Sequence, residues 1–92
     1  MNEVDDAVLE FFEAQDEGVA LPPTVVWYNL HDLLEVIDKS RDTVARRMRK
    51  LTERELLEKV SEERGYYQLT HKGRRYLSGD IEPEELRTDS DG

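Results

Sequence analysis

Five cations fall in one short stretch, Arg41, Arg46, Arg47, Arg49 and Lys50 of SRDTVARRMRKL. A guanidinium donates in a fixed fork that suits phosphate oxygens and the O6/N7 edge of guanine. The chemistry open to such a cluster is contact with a polyanion. Little else in the chain suggests bond-making. There is no Cys, and His31 and His71 are the only imidazoles. A metal site would therefore need carboxylates in no recognisable spacing, and no disulfide or thiolate chemistry exists. No Gly-rich phosphate loop follows a strand, and no motif places a Ser/His/Asp set. We expect no catalytic residue, no metal, no cofactor and no evident small-molecule ligand.

The element that must carry these cations is a helix over about residues 40–54. Ser40 is a natural N-cap, since its hydroxyl can accept from an orphan amide of the first turn. Val44, Met48 and Leu51 recur at i, i+4, i+7, the spacing of one buried stripe. Asp42, Ala45, Arg46 and Arg49 share the same spacing on the opposite side, with Arg41 and Lys50 beside them. Thr43 can reach a phosphate or pack against the turn. Arg47, three residues after Val44, lies at the edge of the buried stripe. A salt bridge to an acid of another helix is as consistent with that position as a phosphate contact. For the exposed cations the alternative is a solvated face, paired with nearby acids such as Asp42 and Glu53.

The charge is segregated. The net charge is −9, yet residues 1–38 hold ten acids and no Lys or Arg. Residues 39–75 hold twelve Lys/Arg against six Asp/Glu, and residues 76–92 hold six acids and Arg87. One basic face on an acidic body can still guide a polyanion, because the local potential governs contact. Nine of the thirteen cations are Arg, and acids occupy the other surfaces. Those two features lead us to expect a salt-rich cytoplasm; an ordinary acidic mesophilic protein is the alternative. Ninety-two residues suit one small domain. No run long and apolar enough to span a bilayer occurs, and no signal peptide is recognisable. A cytoplasmic protein with no membrane contact is expected.

Along the chain, Asn2 caps a first helix with Glu3, Asp5 and Asp6 in its opening turn, favourable at the positive end of the dipole. Val4, Val8, Phe11 and Phe12, with Leu9, face the core until about Gln15. Val19–Leu21 reads as a short lone strand, stopped by Pro22 and Pro23. Pro is tolerated at a first helical position, and a second helix is placed from Pro23 to about Leu33. Val26, Leu30 and Leu33 or Leu34 would line its inner side. Trp27 and Tyr28 are adjacent, so one of them falls at the rim or in a subunit contact. The link to Ser40 is longer than a tight helix-turn-helix needs. After the basic helix, Leu56 and Leu57 return to the core. Glu58–Ser61 and Tyr66–Leu69 form a hairpin around residues 62–65, with Tyr67 and Leu69 inward. Thr70 caps a last helix, His71 to about Leu77. Gly73 within it costs roughly 1 kcal/mol against Ala, which suggests a close backbone approach. Residues 1–80 then make the domain, and 81–92 an acidic, flexible tail.

Three helices, a two-stranded ribbon and a short helix make a mainly α (α+β) winged helix-turn-helix: a three-helix core plus a β wing. The segments LPPTVVWYNL, SRDTVARRMRKL, LLEKVSEERGYYQLT and HKGRRYLSGD resemble the small winged-helix regulators of halophilic archaea, similar to the phage phi-H repressor type. More distantly they resemble MarR-type DNA-binding domains. The resemblance covers about residues 4–80 and implies a transcriptional regulator. Helix 40–54 would enter the major groove, with ribbon 61–66 as the wing. Three departures stand out. Glu55 occupies the left-handed position where such sequences have Gly, so the backbone is strained there or the helix runs on. The link from His31 to Asp38 is long. The wing carries Glu62 and Glu63, leaving only Arg64 as a cation.

Double-stranded DNA is thus the expected partner. Ser40, Arg41, Thr43, Arg46, Arg49 and Lys50 are expected on the helix, and Arg64, Tyr66, Lys72 and Arg74 as backbone contacts. A homodimer is expected because one helix reads few base pairs. The competing expectation is a winged-helix protein-interaction module whose basic face docks an acidic partner.

Overall fold

The computed structural model describes residues 2–61 and 63–79; the expected acidic tail lies outside the described residues. The order is α1 (Glu3–Glu13), α2 (Pro23–Trp27) running on as a π-helical turn (Tyr28–Leu33), α3 (Arg41–Glu53), β1 (Leu57–Ser61), β2 (Tyr66–Leu69) and α4 (His71–Leu77). This is the expected helical core with a two-stranded wing and a short final helix.

Helix α1 begins in a capping box. The Asn2 carboxamide accepts from the Asp5 amide at 2.9 Å, and the Asp5 carboxylate accepts from the Asn2 amide at 3.3 Å. Two orphan donors of the first turn are thereby satisfied reciprocally. Val4, Val8, Leu9 and Phe12 are buried, and Phe11 packs against the same core. The helix ends at Glu13 with Ala14 as its C-cap, two residues before the expected end near Gln15.

The second helix departs from expectation over its last turns. Leu34 donates to the Asn29 carbonyl at 2.8 Å, an i→i−5 bond. A π-turn is wound more loosely than an α-turn, so the apolar stripe slips. Val26 and Leu30 are buried, but Leu33 and Leu34 are 58% and 55% exposed. Ile37 takes their place in the core. It is delivered by a reversal at Glu35, whose φ of 54° is left-handed, with the Val36 amide donating back to the Leu30 carbonyl at 2.9 Å.

β1 and β2 pair antiparallel, with Leu57 opposite Leu69 and Lys59 opposite Tyr67. The register shifts between Lys59 and Ser61, so Val60 is bulged out. The short strand expected at Val19–Leu21 shrinks to one bridge. Leu21 and Tyr67 exchange both backbone bonds, at 2.8 and 3.0 Å, before Pro22 ends the pairing. Tyr67 is buried and Leu69 packs against the core, so the inward face is as expected. Gly73 has the tight approach its cost implied: a Cβ there would run into the Leu56 carbonyl oxygen and the Leu69 side chain.

Candidate nucleic-acid interface

Helix α3 is fixed at both ends and along one side. At its start the Ser40 hydroxyl accepts from the Thr43 amide at 3.2 Å and meets the Thr43 hydroxyl at 3.1 Å. Thr43 therefore packs into the capping turn, one of its two possibilities. At its end the Glu55 amide donates to the Thr52 carbonyl at 3.0 Å and the Leu56 amide to the Leu51 carbonyl at 3.0 Å. These two bonds make a Schellman motif with Glu55 at the left-handed position; its φ is 66°. The helix does not run on, and the missing glycine costs on the order of 1–2 kcal/mol. The Glu55 carbonyl accepts from the Thr70 hydroxyl at 2.6 Å, which ties this strained turn to the start of α4.

Along the inner side Val44, Met48 and Leu51 are completely buried. Arg47 resolves to the salt-bridge alternative. Its Nε and Nη2 donate to the two carboxylate oxygens of Asp5 at 2.8 and 2.7 Å, and Asp5 is fully buried. A forked pair of this kind is strong when desolvated on both sides. It clamps α3 to the first turn of α1 and takes Arg47 off the exposed cationic face.

What remains outside is the expected face. Arg46 and Arg49 are exposed, and neither has an ion-pair partner among the described residues. Arg41 lies 3.9 Å from Asp42, and Lys50 lies 3.8 Å from Glu53. Such exposed pairs hold weakly, about 0–1 kcal/mol, and yield readily to a phosphate. Ser40, Arg41 and Asp42 line a hollow with Trp27. Trp27 escaped the sequence reading as a positioning group: its indole N–H donates to the Lys39 carbonyl at 2.9 Å. Its ring stacks on His31 with centroids 5.0 Å apart. The bond spans the whole α2–α3 connection and fixes the residue just before the cap. Nothing in the local pattern could have marked a bond across twelve residues.

The other four expected residues lie on the wing and on α4. Arg64 and Glu63 are both exposed beside Gly65, whose φ of 66° closes the turn. Tyr66 is 36% exposed. The Lys72 ammonium lies 3.5 Å from the Glu55 carboxylate at the end of α3, so it joins the basic helix through an acid. Arg74 does not join it. It lines a separate depression with Glu17, Glu58 and His71 that includes no α3 residue.

Asp5 is the other group missed, though a signal was present. Asp5, Val8, Leu9 and Phe12 stand at i, i+3, i+4, i+7, so the acid heads the buried row. Tyr76 of α4 packs nearby. Burial raises its phenol above the ordinary value; the charges of Asp6 and Asp5 and a hydrogen bond to Asp6 add to this.

Among the described residues no group of His, Asp and Glu is placed to hold a metal ion, and no helix is long and apolar enough to cross a membrane. Residues 1–89 match the family model described as winged helix-turn-helix phage repressor. No curated protein and no solved structure matches the chain.

Proposed function

Because the chain belongs to the winged helix-turn-helix phage repressor family, we propose that it is a sequence-specific regulator of transcription that binds double-stranded DNA. In this proposal α3 lies in the major groove. Arg46 and Arg49 read base edges or phosphates, Arg41 and Lys50 neutralise phosphates, and the α3 N-terminus at Ser40 faces the backbone. The observation that carries it is the pair Arg46 and Arg49, exposed and unpaired among the described residues on a helix pinned at both ends. Pre-set direction is what a reading helix needs, since a mobile one would lose affinity in ordering itself. Thr43 supports this surface from within the capping turn. Lys72, Arg64 and Tyr66 flank it, and Arg74 has the weakest claim of the ten candidate residues. The unit proposed to act is residues 1–80, as a homodimer in the cytoplasm. A salt-rich cytoplasm fits the acid-covered body.

One observation favours protein docking instead: the wing turn exposes Glu63 beside its lone Arg64. Titration against labelled DNA from upstream of its own gene, in concentrated KCl with unrelated DNA as competitor, separates the two. Selective binding is expected, and the Arg46→Ala/Arg49→Ala double variant should lose it while keeping its circular dichroism. Failure on a genome-wide DNA pool as well would favour the protein-docking role.

A further inference from the structure

Five of the seven large hydrophobic side chains exposed among the described residues fall within residues 25–36: Val25, Tyr28, Leu33, Leu34 and Val36. Single exposed apolar residues are ordinary, but five within one short segment point to a contact surface. Its origin is in the winding of the chain. Had α2 continued as an α-helix, Leu33 or Leu34 would follow Val26 and Leu30 into the core. The i→i+5 winding instead drops them out and sets Leu33 in the row of Tyr28, five residues earlier. The connection to α3 is also long: seven residues, 34–40, where a helix-turn-helix needs about 3–4. Of the added length only Ile37 enters the core. Leu34 and Val36 are spent on the surface.

The charges around this surface select its occupant. Residues 19–31 contain no Asp, Glu, Lys or Arg in a chain that is 38% charged. On a protein of net charge −9, this is a face that two copies can share without acid meeting acid across its centre. Along the chain its edge carries Asp32, Glu35 and Asp38 before one cation, Lys39. The Asp32 carboxylate is held by the His31 imidazole at 2.5 Å. Lys39 is only loosely engaged, 3.8 Å from its own neighbour Asp38 and 53% exposed. In a two-fold contact, residue i meets j and j meets i. An edge that starts with acids and ends on Lys39 can therefore complement itself, with Glu35 of each copy against Lys39 of the other.

We propose that the face formed by Val25, Tyr28, Leu33, Leu34 and Val36 is the two-fold docking surface for a second copy of this chain. A pair serves the proposed regulator, on which this purpose rests, because two recognition helices read a site that one reads too briefly for selectivity. The π-turn and the long connection then have a use: they move two leucines from the core to the interface.

Sedimentation of the full chain without DNA tests this. A reversible dimer is expected. The Leu33→Ser/Leu34→Ser double variant should be a monomer with unchanged circular dichroism. At low salt Glu35→Lys should weaken the dimer about three- to tenfold, since the pair occurs twice and each exposed pair is weak. Glu35→Lys combined with Lys39→Glu should restore it, an outcome that a merely structural role for either residue would not give. A chain monomeric at every accessible concentration, a dimer that survives the two serines, or open-ended assembly would each overturn the proposal. None of these outcomes depends on DNA, so the regulator role stands or falls by its own titration.

Discussion

Helix α3 and the β wing are the two elements of this fold that would approach a duplex, and they are built in opposite ways. The helix is locked by a cap, a Schellman motif, three fully buried side chains and a buried ion pair. Its outer face is left to cations. The wing is two strands of five and four residues with a bulge at Val60 and an exposed Glu63 beside Arg64. Rigidity and positive charge have been concentrated in one element and withheld from the other. On a protein this acidic that division has a physical use. In the proposed role, counterion release at a few well-placed guanidiniums would give affinity, while acids elsewhere would repel the duplex from other approaches.

The largest effect should come from breaking what locks the helix. Asp5→Ala strips the largely buried Arg47 guanidinium of the Asp5 carboxylate, and breaking such a buried pair costs about 3–5 kcal/mol. Urea unfolding should show most of this as a lower midpoint. Replacing both members with apolar residues, Asp5→Leu with Arg47→Met, should recover much of it, because the desolvation penalty goes with the charges. Next comes the contrast itself. Arg46→Ala should weaken binding to a selected DNA site by about 1–3 kcal/mol, and Arg64→Ala by under about 0.5 kcal/mol, the scale of an exposed charge. Equal losses measured by titration would mean that the wing reads as well, and the division of labour would be wrong.

The same contrast separates what was legible in the sequence from what was not. The α3 stripe, the Ser40 cap, the tight Gly73 contact and the inward Tyr67 all follow from local periodicity or local chemistry. Each was expected and each is present. The errors come from interactions between residues distant along the chain and from one local winding that no residue type marks. Asp5 was assigned to the helix dipole, although its spacing to Val8, Leu9 and Phe12 placed it on the buried row. A buried acid needs a cation, and only the fold identifies Arg47, forty-two residues away, as that cation. Leu33 or Leu34 was expected inside because an α-helical period was assumed through residue 33. No residue type in YNLHDL announces π-winding. The bond from Trp27 to the Lys39 carbonyl, like the Asp5–Arg47 pair, joins residues well apart in the chain.

A gain of function sharpens the comparison further. Glu63→Lys removes an acid from the wing turn and adds a cation there. If the wing lies beside the backbone and is held off by its own charge, affinity should rise severalfold. The slope of log affinity against log salt should steepen by about one unit, the signature of one more neutralised phosphate. An unchanged slope would place the wing beyond reach of the duplex.

The smallest effect concerns α4, which packs on α1. Burial, followed by the Asp6 and Asp5 charges, raises the Tyr76 phenol above its usual value of 10.0. The folded protein therefore holds this proton more tightly than the unfolded chain does. Below the unfolded value both states keep the proton, and the contribution to stability is fully present. As pH rises past that value the unfolded chain releases its proton first, and the contribution is lost by the time the folded phenol titrates. Stability should accordingly fall with pH from about 10 upward, more steeply in the wild type than in Tyr76→Phe, which has no proton to lose. Urea midpoints of the two proteins across that window should converge as the pH climbs. Parallel curves would mean that the phenol is as free to ionise in the fold as in the unfolded chain. In that case the carboxylates of Asp5 and Asp6 would exert no hold on α4, and the clamp on α3 would end at Asp5 rather than extend through α1 to the last helix.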